Sequence, residues 1–332
     1  MQNNRLHWID IAKVMCIILV VFGHYIPPTV APEWYVVAKR YVYSFHMPLF
    51  MLLSGYTYSA TNNKAASYCS FIKKKMLRLL LPYFSTSALV VAIKLATQQL
   101  VYVKNPITLE QITQILYYPS VCYCLWFIWV LFVFFLIIPL FETAISRLAL
   151  FSISVILYFS PVFLPEVFCL HQAQGMLVYF VLGILLYDYR ESFSCIKKLS
   201  ESLLLFSSAL VFVIVASFDF GINLNLLKAL AGIAAVCLLA RKISVYGNWL
   251  KKGLLWMSSS SYTIYLLHTI FIGFGLVVLK HPSVARMGDE YMQSVNIWII
   301  TMLSVACPII VDRMILRKSK PLALLFGTKY DK

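Results

Sequence analysis

Three ionisable residues, Asp10, Lys13 and His24, sit in the first apolar run of the chain. A charge there is costly unless it is paired or faces a wet cavity, so each is a candidate for function. At ~100° per residue, Lys13 and His24 fall about 20° apart around a helix, and Asp10 falls about 40° to the other side of His24. Along the axis Lys13 and His24 are about 16 Å apart. A cation at one rim and an imidazole that far above it suit a ligand with an anionic head and a long thin arm, a shape that coenzyme A has. The imidazole can act there as a general base or carry an acyl group. The same residues also read as an Asp10–Lys13 interfacial pair that snorkels, with His24 among the external headgroups.

Further polar groups interrupt later runs. The second carries His46 two residues before Pro48, and Gly55 further on. Pro48 frees a backbone carbonyl, and with Gly55 it predicts a kink or local opening beside His46. A structural His46 bonded to a neighbouring helix is the competing reading. At the start of the third run Lys75 and Arg78 are three residues apart, so two cations can grip phosphates or simply flank the bilayer. Late in the chain Ser261, Tyr265 and His268 form a polar stripe. Such a stripe can line an acceptor site or bond helices together. Leu125-Trp126-Phe127 reads as an aromatic belt.

The elements that must position these residues follow from composition. Of 332 residues, 61% are hydrophobic and 12% are charged, too few charges to solvate a soluble domain of this size. Ten apolar runs, near 8–26, 35–59, 78–97, 124–141, 148–163, 172–187, 203–218, 222–240, 258–279 and 293–316, predict an all-α integral membrane bundle of about ten transmembrane helices. Residues 1–332 read as a single polytopic membrane domain, with 317–332 a short basic cytoplasmic tail. The first run reads as a retained helix rather than a signal peptide. Alternate joints are basic, and one face collects 21 of the 28 Lys and Arg. Both termini are therefore expected in the cytoplasm. The seven on the other side are Lys39, Arg40, Lys94, Lys104, Lys228, Lys280 and Arg286. The net charge of +15 is thus a topology signal against anionic membrane lipid, and no nucleic-acid partner is expected. The eight cysteines form no metal pattern, although Cys122, Cys124 and Cys169 fall near the external face, where a disulfide can form.

Taken in order, these motifs resemble the membrane acyltransferase-3 family. The likeness rests on Arg5-x-x-x-Ile9-Asp10-x-x-Lys13 with His24, on Phe45-His46-Met47-Pro48-Leu49-Phe50 with Ser54-Gly55-Tyr56, and on Arg78-Leu79-Leu80-x-Pro82-Tyr83. Leu125-Trp126-Phe127 and Ser261-Tyr262-x-Ile264-Tyr265-Leu266-x-His268 complete it. The opening and the Phe-His-Met-Pro stretch are most similar to the fucose 4-O-acetylase-related group. The resemblance implies a ten-helix bundle in the bacterial cytoplasmic (inner) membrane. It implies transfer of acetyl from acetyl-CoA, as co-substrate, to a hydroxyl of a cell-surface polysaccharide or a lipid-linked glycan precursor. It makes His24 the catalytic histidine, Lys13 its basic partner, and Lys75 with Arg78 the cytoplasmic donor site, where Lys75 replaces the usual Arg and loses bidentate phosphate geometry. Asp10 would then orient Lys13, His46 would assist in proton transfer or acceptor positioning, and Tyr265 and His268 would bind acceptor. No metal is expected. Homo-oligomers or glycan-assembly proteins are further expected partners. With no appended hydrolase-type domain, transfer is direct or completed by a separate protein. A transporter or flippase of a lipid-linked glycan is the rival reading, and a non-catalytic assembly protein a third.

Overall fold

The computed structural model describes residues 6–27, 30–61, 67–98, 106–192, 200–217, 222–279 and 290–331. Of the basic residues used in the charge argument, Arg5, Lys64, Lys104, Lys197, Lys198, Lys280, Arg286 and Lys332 lie outside them. Every described element is helical or irregular, and each of the ten apolar runs falls on a helix. These are α1 (His7–His24), α2 (Glu33–Thr61), α3 (Tyr68–Thr97), α5 (Trp126–Ile137), α6 (Ala144–Phe159), α7 (Leu170–Asp188), α8 (Glu201–Ser217), α9 (Ile222–Tyr246), α11 (Ser261–Leu279) and α12 (Glu290–Met314). Three shorter helices, α4 (Leu109–Gln114), α10 (Trp249–Ser258) and α13 (Lys320–Leu325), fall between or after them. Six segments are long and apolar enough to cross a membrane: His7–His24, Tyr68–Thr97, Tyr123–Leu140, Val167–Asp188, Ser261–Leu279 and Tyr291–Lys318. The protein is a multi-pass membrane protein.

α1 lies at the centre, in contact with α2, α9, α10, α11 and α12. Its sequence explains this, because Ile9, Ile11, Ala12, Val14, Cys16, Ile17, Val20 and Val21 leave no polar face apart from Asp10, Lys13 and the histidines at its two ends, and all eight are buried. α2 and α7 form the most extensive helix pair. A Cβ added at Gly55 would lie 1.9 Å from the Phe180 carbonyl oxygen, and one at Gly183 would lie 2.1 Å from that of Leu52. Gly55 therefore does not open α2, which runs unbroken through both Pro48 and Gly55. Glycine is used instead for close backbone approach, the usual role of small residues between membrane helices.

Charged residues fasten helix ends. Asp188 accepts hydrogen bonds from Ser59 and Arg147, joining α2, α6 and α7. Arg241 pairs with Glu201 at 2.8 Å, joining α9 to α8. Asp312 is fully buried and accepts from Thr263 Oγ1 at 3.2 Å and from Arg317 Nε and Nη2 at 2.9 and 2.6 Å. Arg317 also donates to the Ser259 carbonyl at 2.8 Å, so the α10–α11 turn is pinned to the end of α12. Asp312→Ala leaves the half-buried Arg317 guanidinium without its counter-charge. The expected cost is about 3–5 kcal/mol, read as a lower thermal midpoint of the detergent-purified protein; an unchanged midpoint would show that the pair contributes nothing.

Candidate active site

The start of α2 lies against the end of α1. Tyr43 donates to the Gly23 carbonyl at 3.0 Å, Cys16 Sγ donates to the His46 carbonyl at 3.1 Å, and Lys13 Nζ donates to Thr57 Oγ1 at 3.4 Å. The two helices are thus antiparallel, with His24 and His46 at one level and Lys13 well below. His24 and His46 line a cavity of about 990 Å³, together with Tyr43, Trp126, Tyr179 and Tyr265. A second, narrow cavity of about 230 Å³ is lined by Lys13, Ile17, Ser54, Leu79, Phe127, Leu131 and Ser261. The two share Val20, Met47 and Tyr265 as walls, so they adjoin end to end along α1. Their combined path runs from Lys13 to His24, about 16 Å by helical rise.

The histidines are set in one tautomer. Nδ1 of His24 lies 2.8 Å from the Val20 carbonyl oxygen, and Nδ1 of His46 lies 2.9 Å from that of Val42. A carbonyl only accepts, so each Nδ1 carries the proton and each Nε2 of the neutral ring holds the basic lone pair. His268 repeats the arrangement, with Nδ1 2.8 Å from the Tyr265 carbonyl oxygen. It is fully buried and lines neither cavity, unlike Tyr265, with which the sequence grouped it as an acceptor contact. Its ring instead stands edge-on to His24 at 5.1 Å, and its Nε2 has no partner among the described residues. Tyr43 continues the row, 6.2 Å from His24 and 4.9 Å from His46 between ring centroids. The arrangement offers a basic nitrogen on the cavity wall, with a second, buried imidazole edge-on to its ring.

At the narrow end, Lys75 lies within electrostatic reach of both Lys13 and Arg78. Its ammonium packs over the rings of Phe135 at 3.7 Å and Phe71 at 5.1 Å, a cation–π setting. Asp10 bears electrostatically on Lys13. Asp10, Lys75 and Arg78 flank the narrow cavity rather than lining it. The model for the acyltransferase-3 family, described as an acyltransferase domain, matches residues 6–313.

The chain belongs to the acyltransferase-3 family. Over 98 residues it is 37% identical to nodulation protein NolL of Sinorhizobium fredii, covering 28% of this chain and 26% of that one. Over 156 residues it is 30% identical to nodulation protein NolL of Mesorhizobium japonicum, covering 46% and 40%. The chain thus spans less than half the length of the curated relatives it matches. No solved structure matches.

The family match ends just before the tail, which is itself folded. α13 packs against α3, and Gly327 lies beside Pro82, Tyr262 and the Arg78 carbonyl, next to the narrow end. Leu125-Trp126-Phe127 is not a belt facing lipid. Leu125 is fully buried, Trp126 lines the wide cavity and Phe127 the narrow one, because Tyr265 Oη donates to the Cys124 carbonyl at 2.7 Å and draws this turn inward. Cys122 and Cys124 are free thiols 3.0 Å apart, and Cys169 is also free. Sequence reasoning missed Thr57, Tyr43, His171, Gln172 and Asn225, whose types are ordinary in any helix. It counted Arg40 and Lys228 only as external charges. Lys228, an ionisable residue inside the apolar run 222–240, carries the same signal that singled out Lys13.

Proposed function

We propose that the protein is an O-acetyltransferase of the bacterial cytoplasmic membrane, with ten spans and both termini cytoplasmic. It moves acetyl from cytoplasmic acetyl-CoA to a hydroxyl of a surface polysaccharide or lipid-linked glycan. The observation that supports this is the pair of adjoining cavities between a cluster of cations and an unprotonated imidazole nitrogen, in a chain of the acyltransferase-3 family. Three cations, Lys13, Lys75 and Arg78, suit the phosphates of the donor, and apolar Ile17, Leu79, Phe127 and Leu131 suit a thin uncharged arm. Acetyl-CoA supplies an activated carbonyl and a thiolate leaving group.

His24 Nε2 removes the proton from the acceptor hydroxyl as that oxygen forms its bond to the thioester carbonyl carbon. His268, with an unpartnered Nε2 behind the ring, steadies the imidazolium, and His24 returns the proton to the departing thiolate as the C–S bond breaks. His46 and Tyr43, in a row beside His24, hold the acceptor.

The test uses purified protein in lipid nanodiscs with labelled acetyl-CoA and surface glycan. Coenzyme A release should match ester formed on the glycan, mole for mole. Lys75→Ala with Arg78→Ala should raise the KM for acetyl-CoA roughly tenfold or more, since each charge-assisted hydrogen bond is worth about 1.5–3 kcal/mol. An unchanged KM would leave both as topology charges, and glycan movement across the bilayer without thioester loss would favour a flippase.

A further inference from the structure

The wide cavity is lined by two cations that nothing among the described residues answers. Lys228, only 8% exposed, and Arg40 both line it, and neither makes a hydrogen bond or ion pair among the described residues. No Asp or Glu lines the cavity among those residues. An ammonium buried in an apolar helix without a counter-charge is costly, and such residues normally face a partner or a pathway.

Helix register places both cations beyond the histidines. On α9, a Cβ at Gly232 would come 2.7 Å from the Phe45 ring, and Arg241 lies within electrostatic reach of Tyr56, so α9 runs parallel to α2. Lys228 is one turn before Gly232, about 6 Å toward the start of α2 from the level of His46. Arg40 is six residues before His46 on α2, about 9 Å along the same direction. The two cations therefore bracket the part of the cavity farthest from the donor end. Neutral hydrogen-bonding groups line the same cavity: Asn225, and Gln172, whose buried Oε1 has no partner among the described residues while its Nε2 donates to Tyr123 Oη at 2.9 Å.

We propose that the acceptor is an acidic saccharide, whose oxyanion binds between Lys228 and Arg40 while a nearby hydroxyl reaches His24. The oxyanion is a hexuronate carboxylate or the phosphate of a lipid carrier; both offer the charge-assisted hydrogen bonds that a buried ammonium and a guanidinium require. Asn225 and Gln172 take up the hydroxyls of the sugar between them. This inference rests on the acyltransferase reading of the same cavity.

Equilibrium binding to the full-length protein in phosphatidylcholine nanodiscs tests it with three probes. They are a glucuronate-containing oligosaccharide, its carboxyl-reduced neutral counterpart, and that neutral oligosaccharide linked to a polyprenyl pyrophosphate. At least one charged probe should bind about tenfold or more tightly than the neutral one, as one charge-assisted hydrogen bond implies. Which probe does so identifies the source of the oxyanion. Lys228→Met should abolish the preference, Lys228→Arg should keep it, and Arg40→Gln should weaken it. Arg40 is exposed, so its variant carries the test if Lys228→Met fails to fold. Equal binding of all three probes, no binding of any, or a preference unchanged in both variants would overturn the proposal. Charge-selective binding by a protein that never transfers acetyl would overturn the acyltransferase reading instead.

Discussion

His24→Ala is expected to lower acetyl transfer by about 10²–10⁴-fold, the usual contribution of a positioned general base. The reason is geometric. The Val20 carbonyl holds Nδ1 as a donor and leaves Nε2 on the wall of a cavity that reaches the donor end through Val20, Met47 and Tyr265. His46 has the same tautomer on the same cavity, but His24 alone shares α1 with Lys13 of the narrow cavity. His268 is fully buried, so its substitution acts only through its edge-on ring contact with His24 and should cost about two- to tenfold, the scale of one aromatic contact. Folded protein recovered by size exclusion should be unchanged in His24→Ala, because the side chain's only hydrogen bond among the described residues is to its own helix. Added imidazole should restore part of the rate, since the cavity has room for a free ring. Full transfer by His24→Ala would remove the residue from the mechanism.

Gly183→Ala and Gly55→Ala should each destabilise the bundle by about 1–3 kcal/mol or more, although each adds a single methyl group. In both cases the new Cβ meets a backbone carbonyl at 2.1 Å or less, and a carbonyl in a helix cannot swing aside as a side chain can. The α2–α7 pair must separate along its length, which loosens the helix that carries His46. The two glycines share one crossing, so the double substitution should cost less than the sum of the singles. Gly253→Ala is the control. Nothing lies within 4 Å of its Cβ position in α10, and replacing a helical glycine should stabilise by about 1 kcal/mol. Thermal midpoints of the detergent-purified proteins check all four. Equal midpoints for Gly55→Ala, Gly183→Ala and the parent would mean that the crossing is looser than described.

The apolar runs were legible because bilayer length imposes a period that no tertiary contact needs to create. All ten carry a helix, and the alignment of Lys13 with His24 on one side of α1 follows from helical geometry alone. The identity of His24 and Lys13 as cavity residues was readable for a similar reason, since charge inside lipid demands an explanation. The same rule, applied to 222–240, would have singled out Lys228.

What the sequence could not show was which polar groups meet. His24 and His46 lie on consecutive helices and His268 on one far along the chain, and only the packing of α1 against α2 and α11 sets His268 edge-on to His24 while His46 faces the cavity. Trp126 and Phe127 looked like lipid-facing aromatics until the Tyr265–Cys124 hydrogen bond turned them inward. Gly55 looked like a hinge because a lone glycine is equally suited to bending a helix and to letting another approach; the position of Phe180 decides between them. The sequence by itself thus determined the helices, the family motifs and the few residues that lipid would not tolerate without cause. The tertiary structure decided the cavities and their walls, because a wall is made by side chains from separate helices, and spacing along one chain carries no information about that.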